Sequence, residues 1–138
     1  MKVPFNINLS GKTAIVTGGS GTLCSAMAYG LAVSGANVAI IGRNIEKLAS
    51  VSEKLTKNAL DEYNKDVTIK GYSCNVINKD ELTAAYETIK NELGSCDILI
   101  NGAGGNQPGA ITSIEMLKKD KEDSDYSFWN LDEDRIRD

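Results

Sequence analysis

Thr17-Gly18-Gly19-Ser20-Gly21 is the stretch of this 138-residue sequence whose residue types are best suited to holding an anion. It follows a short apolar run, Lys12–Thr17, and precedes a segment with helical spacing. Unpaired backbone N–H groups and the positive end of a helix dipole would therefore converge on one point, which is what a pyrophosphate requires. A lone glycine-rich turn also serves simple chain reversal. Here a second one, Asn101-Gly102-Ala103-Gly104, follows another apolar strand, Cys96–Asn101. Seven of the 13 glycines lie in Gly18–Gly21 and Gly102–Gly109, directly after these two strands.

The elements that must position these loops can be read from periodicity. Lys12–Thr17, Asn37–Gly42, Val67–Cys74 and Cys96–Asn101 are short apolar runs that predict buried strands. Thr22–Ser34 places Leu23, Met27 and Leu31, with the small Ala26, Ala28 and Ala32, at helical spacing, and Gly35 stands where a helix stops. Asn44 is a candidate N-cap ahead of Leu48, Val51 and Leu55. Asn78 with Glu81 reads as a capping box before Leu82, Tyr86, Ile89 and Leu93, which share one packing face. Strands alternating with helices predict βαβ units, hence an α/β fold with a parallel sheet and helices on both faces. The first and fourth strands would be neighbours where strand order reverses, so one cleft beyond their carboxyl ends receives both glycine loops.

Composition narrows the function classes. The sequence is 41% apolar, 25% charged and 6% aromatic, as expected of one globular domain spanning 1–138. Its net charge of −4 and the absence of a basic stripe argue against nucleic acid as a partner. Apolar runs such as Val38–Ile41 are far too short to span a membrane, and Met1–Lys12 has no apolar core of a secretory signal, so the cytoplasm is expected. Cys24, Cys74 and Cys96 form no CxxC pair and there is no histidine, so no metal site is expected and the thiols should be reduced. Asp120–Asp138 carries a net −5, and 106–130 is expected to be a mobile acidic loop, followed by the opening turns of another helix.

With these residues in place, the sequence resembles the short-chain dehydrogenase/reductases. Thr17-Gly18-Gly19-Ser20-Gly21, continued by Thr22 and Leu23, is similar to that family's TGxxxGxG or TGxxGxxG cofactor turn. Asn101-Gly102-Ala103-Gly104 is similar to its NNAG motif, and Asn75-Val76 to the Asp-Val pair placed against adenine. Asn101–Pro108 and Asn130-Leu131-Asp132 look most like the D-mannonate oxidoreductase (fructuronate reductase) branch. The resemblance implies a partial Rossmann-like, doubly wound parallel sheet of about four strands, truncated before the later ones. It also implies a nicotinamide dinucleotide as ligand. Three departures stand out: Cys24 where the family's last glycine lies, expected to fit with strain; Thr22 for the middle glycine of one motif form; and Asn75 for the usual Asp. The second strand ends in Gly42 followed by Arg43 and Asn44, where a 2′-hydroxyl reader would be acidic. NADP is therefore favoured over NAD, with Arg43 as the contact to a 2′-phosphate.

The family's Ser, Tyr, Lys and supporting Asn all lie beyond the NNAG strand, so no catalytic residue is assigned here. This chain is expected to be inactive alone, meeting a sugar-acid substrate only when the missing half completes it. Tyr86-Glu87-Thr88-Ile89-Lys90 spells YxxxK, but it precedes the fourth strand on an outer helix, away from the strand ends where a proton must be delivered. The uncovered fourth strand predicts pairing with a second copy of the chain, a repositioned C-terminal segment or the missing half. Two further readings are a non-catalytic nucleotide-binding or interaction module, and an S-adenosylmethionine methyltransferase, against which Gly42 argues because such enzymes generally place an acid there.

Overall fold

The computed structural model describes residues 7–105. The chain divides into two compact units, Met1–Ala103 and Gly104–Asp138. The expected acidic loop at 106–130, the Asn130-Leu131-Asp132 segment and the final helical turns lie outside the described residues.

In the first unit the elements run β1 (Thr13–Thr17), α1 (Thr22–Val33), β2 (Asn37–Gly42), α2 (Ile45–Tyr63), β3 (Ile69–Ser73), α3 (Lys79–Leu93) and β4 (Ile98–Ile100). The four strands form one parallel sheet in the order β3-β2-β1-β4. The order reverses between β1 and β4, which pair through Ala14↔Ile98, Ile15↔Leu99 and Val16↔Ile100. Every residue of β1 is buried, as are the four central residues of β2, as uninterrupted apolar runs demand of strands covered on both faces. The fold is thus α/β and Rossmann-like.

One face packs Ala14, Val16, Val38 and Ile40 against Cys24, Ala28 and Ala32 of α1 and Leu48 and Leu55 of α2. The other packs Ile15, Ala39 and Ile41 against Ile89 of α3, with Ala85 and Leu93 beside it. Helix ends follow local chemistry. The Asn44 side chain accepts from the Lys47 amide and the Asn78 side chain from those of Asp80 and Glu81. α1 stops at Ser34, and Gly35 takes φ +104, a backbone state that glycine enters without penalty.

Three expectations need correction. In α1 Cys24, Ala28 and Ala32 face the sheet, whereas Ala26 is exposed with Leu23 (69%) and Met27 (39%). Both sets have helical period, and a helix seated closely on a sheet takes the small one inward. On α3, Leu82 and Tyr86 are exposed, and the inward stripe is Ala85, Ile89 and Leu93. Among the described residues α3 is the sole helix on that face, so its flank has no neighbouring helix to bury it. The outer strands are also shorter than their apolar runs. β4 begins after Asp97, whose carboxylate pairs with Lys12 at 2.8 Å and accepts from the Thr13 amide at 2.9 Å, the lysine first and then the amide holding its pKa below the ordinary value. It ends where the chain turns into the second glycine loop.

Candidate functional site

β1 ends in Thr17, which is buried, and Gly18 then turns the chain with φ +66. The Gly21 amide donates to the Gly18 carbonyl at 2.9 Å, closing a tight turn, and the Gly19 amide donates to Ile41 at the end of β2. A Cβ on Gly19 would sit 2.5 Å from the Ile40 Cβ. Ser20 lies beside the end of β2, its Oγ 3.7 Å from where a Gly42 Cβ would be. These contacts hold the turn flat against β1 and β2.

α1 differs from its two companions at its start. Its N-cap is Gly21, with no side-chain cap and no acid in the first turn, whereas α2 carries Glu46 and α3 Asp80 and Glu81 there. The first intrahelical bond runs from Ser25 to Gly21, which leaves the amides of Thr22, Leu23 and Cys24 without a described partner. Thr22 and Leu23 are exposed at this end. An anion placed here would meet several N–H donors and the positive end of the helix dipole.

The second glycine loop is fastened to this turn. Thr17 Oγ1 accepts from the amides of both Gly102 and Ala103 at 3.0 Å. The Cys24 thiol donates to the Gly102 carbonyl at 3.7 Å, and a Cβ added to Gly102 would overlap its sulfur. Cys24 therefore fits without backbone strain, because the residue facing it has no side chain. Among the described residues the sole non-glycine with positive φ is Asn64. Local spacing gave no sign of this pairing, since 78 positions separate the partners.

The structure brings Thr17, Gly18, Gly19, Ser20, Gly21, Thr22, Leu23, Gly102 and Ala103 to the carboxyl ends of β1 and β4. Asn101 is exposed where β4 ends. Arg43 follows β2, exposed and in no ion pair among the described residues, and its carbonyl accepts from Ser73 Oγ at 3.2 Å. Asn44 spends its side-chain oxygen on the α2 cap. Asn75 stands beyond β3, and Val76 packs against the sheet face that α3 covers. Gly104 opens the second unit, with nothing near the position of a Cβ. The YxxxK pair, Tyr86 and Lys90, remains on α3. A groove of about 430 Å³ along β3, lined by Ile45, Gly71, Tyr72, Thr88 and Glu92 among others, contains none of the candidate residues. In it burial, and then the bond to Glu92 Oε2, raise the Tyr72 pKa, while Lys70 and Tyr72 lower that of Glu92.

Known proteins are similar to this chain in sequence and fold. The chain matches the short chain dehydrogenase family over residues 12–124. It is 42% identical over 131 residues to UxuB, an uncharacterized oxidoreductase of Bacillus subtilis, covering 95% of this chain and 44% of that protein. A solved oxidoreductase of Haemophilus influenza, assigned to D-mannonate and holding NAD, superposes with a TM-score of 0.74 at 36% identity, over 96% of this chain and 45% of that one. A metagenomic short-chain oxidoreductase in complex with NADP superposes with a TM-score of 0.64 at 26% identity, over 85% of this chain and 48% of that one. The chain spans less than half the length of each. Matched over most of its residues and similar to these proteins in sequence and fold, the chain belongs to the short-chain dehydrogenases.

Proposed function

We propose that the first unit, through Ala103, forms the dinucleotide-binding half of an NADP-dependent oxidoreductase. The observation that carries this reading is the start of α1: uncapped amides and no acid in the first turn, reached through glycines whose close packing on the Gly102 loop and Ile40 leaves no room for a Cβ at Gly18 or Gly19. These residues fit a pyrophosphate. Gly18, Gly19 and Gly21 would let its oxygens come close to the backbone, and the amides of Thr22 and Leu23 would donate to them. Thr17 would keep the Gly102–Ala103 loop at the far wall of the cleft. When bound, the nicotinamide supplies or accepts a hydride. Full-length relatives are more than twice as long, so we place the group that exchanges a proton with the substrate in sequence following β4. The likeness to the Haemophilus protein supports a sugar acid of the D-mannonate or fructuronate type as substrate. The β4 edge, where Leu99 is 57% exposed, supports pairing with a second copy or with that further sequence.

Selection of NADP rests on Arg43. Arg43, permanently charged, directly follows Gly42 at the end of β2, is exposed and forms no ion pair among the described residues, and β2 itself ends in no acid that would repel a 2′-phosphate. Calorimetric titration of the chain should give tighter binding of NADPH than of NADH. Arg43→Ala should weaken NADPH about tenfold or more, as loss of a charge-assisted hydrogen bond does, and NADH less than about twofold. Equal losses for the two would discard the Arg43 assignment, and absence of binding by either to the unaltered chain would discard the dinucleotide reading.

A further inference from the structure

The sequence contains a single Asn-Gly pair, Asn101-Gly102, and it lies where β4 ends and the second glycine loop begins. Asparagine is among the thermally labile residues, because the backbone nitrogen that follows it can attack its side-chain carbonyl. Glycine hinders that approach least, having no Cβ and the widest backbone freedom. Both residues of the pair are exposed to water. The packing does not let the glycine be exchanged for a slower neighbour: a Cβ at Gly102 would overlap the Cys24 sulfur and approach the Thr17 carbonyl oxygen at 2.9 Å. Lability at this bond is therefore imposed by how α1 and the loop fit together.

The same fit supplies a restraint. The attacking atom would be the Gly102 nitrogen, whose N–H donates to Thr17 Oγ1 at 3.0 Å, and the Ala103 N–H donates to the same oxygen at 3.0 Å. Thr17 is buried at the end of β1, so this clasp is anchored in the sheet. To react, the nitrogen must leave the threonine, lose its proton and swing toward Asn101 Cγ.

We infer that Asn101 is a site of spontaneous deamidation held in check by Thr17. Hydroxide takes the Gly102 amide proton, the nitrogen bonds to Asn101 Cγ, and the Cγ–Nδ2 bond breaks, Nδ2 taking a proton from water and leaving as ammonia. Water then opens the cyclic imide. Attack at Cγ gives aspartate, and attack at the main-chain carbonyl of residue 101 gives isoaspartate, in which the chain runs through Cβ and Cγ. No oxidant or reductant takes part. Either product puts a carboxylate where β4 meets the glycine loop. Isoaspartate also lengthens the main chain there by one carbon, which draws Gly102 and Ala103 off Thr17. The inference is independent of the dinucleotide reading.

The test incubates the chain in mildly alkaline buffer, folded and unfolded in urea, and maps aspartate and isoaspartate at every asparagine by mass spectrometry. In urea Asn101 should convert faster than any other asparagine, and in the folded chain it should convert more slowly than in urea. Thr17→Val, which keeps the side-chain shape but removes the acceptor, should speed conversion in the folded chain about fivefold or more, as loss of one ordinary hydrogen bond allows. Thr17→Ser, which keeps the hydroxyl, should change the rate less than about twofold. If Asn101 in urea converts no faster than the other asparagines, the site is overturned. If folding does not slow it, or folded Thr17→Val converts no faster than the unaltered chain, the restraint is overturned. Should Thr17→Val not fold, hydrogen exchange of the unaltered chain decides: protected Gly102 and Ala103 amides uphold the clasp, and amides exchanging at the unprotected rate overturn it.

Discussion

Gly18→Ala is expected to lower the unfolding temperature by about 10 °C or more and to weaken NADPH binding about tenfold or more. Two costs combine. The backbone at Gly18 has φ +66, where an L-residue with a Cβ is disfavoured by about 1–2 kcal/mol. The added carbon would also lie 2.6 Å from the Gly102 carbonyl oxygen and 2.8 Å from its carbon. Those are main-chain atoms that cannot rotate away, and forced overpacking of this kind costs about 1–3 kcal/mol more. For a domain of about 100 residues each kcal/mol is worth roughly 4–8 °C. Because the clash pushes the two glycine loops apart, cofactor affinity should fall together with stability. Differential scanning calorimetry and NADPH titration of the same variant measure both, and an alanine tolerated within 2 °C, as about 0.5 kcal/mol would give, would contradict the contact between these loops.

The second large effect is expected at Gly102, and it should be conditional on Cys24. A Cβ at Gly102 would overlap the Cys24 sulfur, so Gly102→Ala alone should destabilise the fold by about 1–3 kcal/mol. Cys24→Ala removes that sulfur and leaves a small void, costing about 1 kcal/mol for the lost buried atom. In the double variant the new methyl group occupies the vacated space. Part of the penalty should persist, because the Cβ would still approach the Thr17 carbonyl at 2.9 Å. The two substitutions should therefore couple favourably by about 1–2 kcal/mol in a double-mutant cycle followed by urea unfolding. Additive losses would mean that the thiol and Gly102 do not share the same space.

These two positions also mark where the sequence was legible and where it was not. Local signals were read well. Asn44 caps α2, and Asn78 caps α3 with its side chain bonded to Glu81, because capping depends on residues three or four apart. In one detail the box differs, since Glu81 reaches back to the Asn75 amide as well as to the Asn78 side chain. The parallel strands, and the adjacency of β1 and β4 that brings the two glycine loops together, followed from apolar runs alternating with helical ones. What helical period could not decide was which of two periodic sets in α1 turned inward, because Ala28 and Ala32 repeat as regularly as Leu23 and Met27. Proximity to the sheet decided it.

Cys24 is the sharper case. Compared with a motif it was a departure expected to cause strain, yet its fit depends on Gly102 in a neighbouring strand's loop. Such a pairing is invisible until the sheet brings β1 and β4 side by side. Thr17 was placed in the turn by its neighbours in sequence, but its bonds to Gly102 and Ala103 span 85 and 86 positions and follow from the same adjacency.

The reading as a whole depends on the amides at the start of α1 receiving a pyrophosphate. Crystals of the chain soaked in NADPH test this most directly. The phosphate oxygens should lie within hydrogen-bond distance of the Thr22 and Leu23 amides, over Gly18 and Gly19, with the 2′-phosphate against Arg43. Density for the dinucleotide elsewhere, or none at saturating concentration with that turn open to solvent, would contradict it.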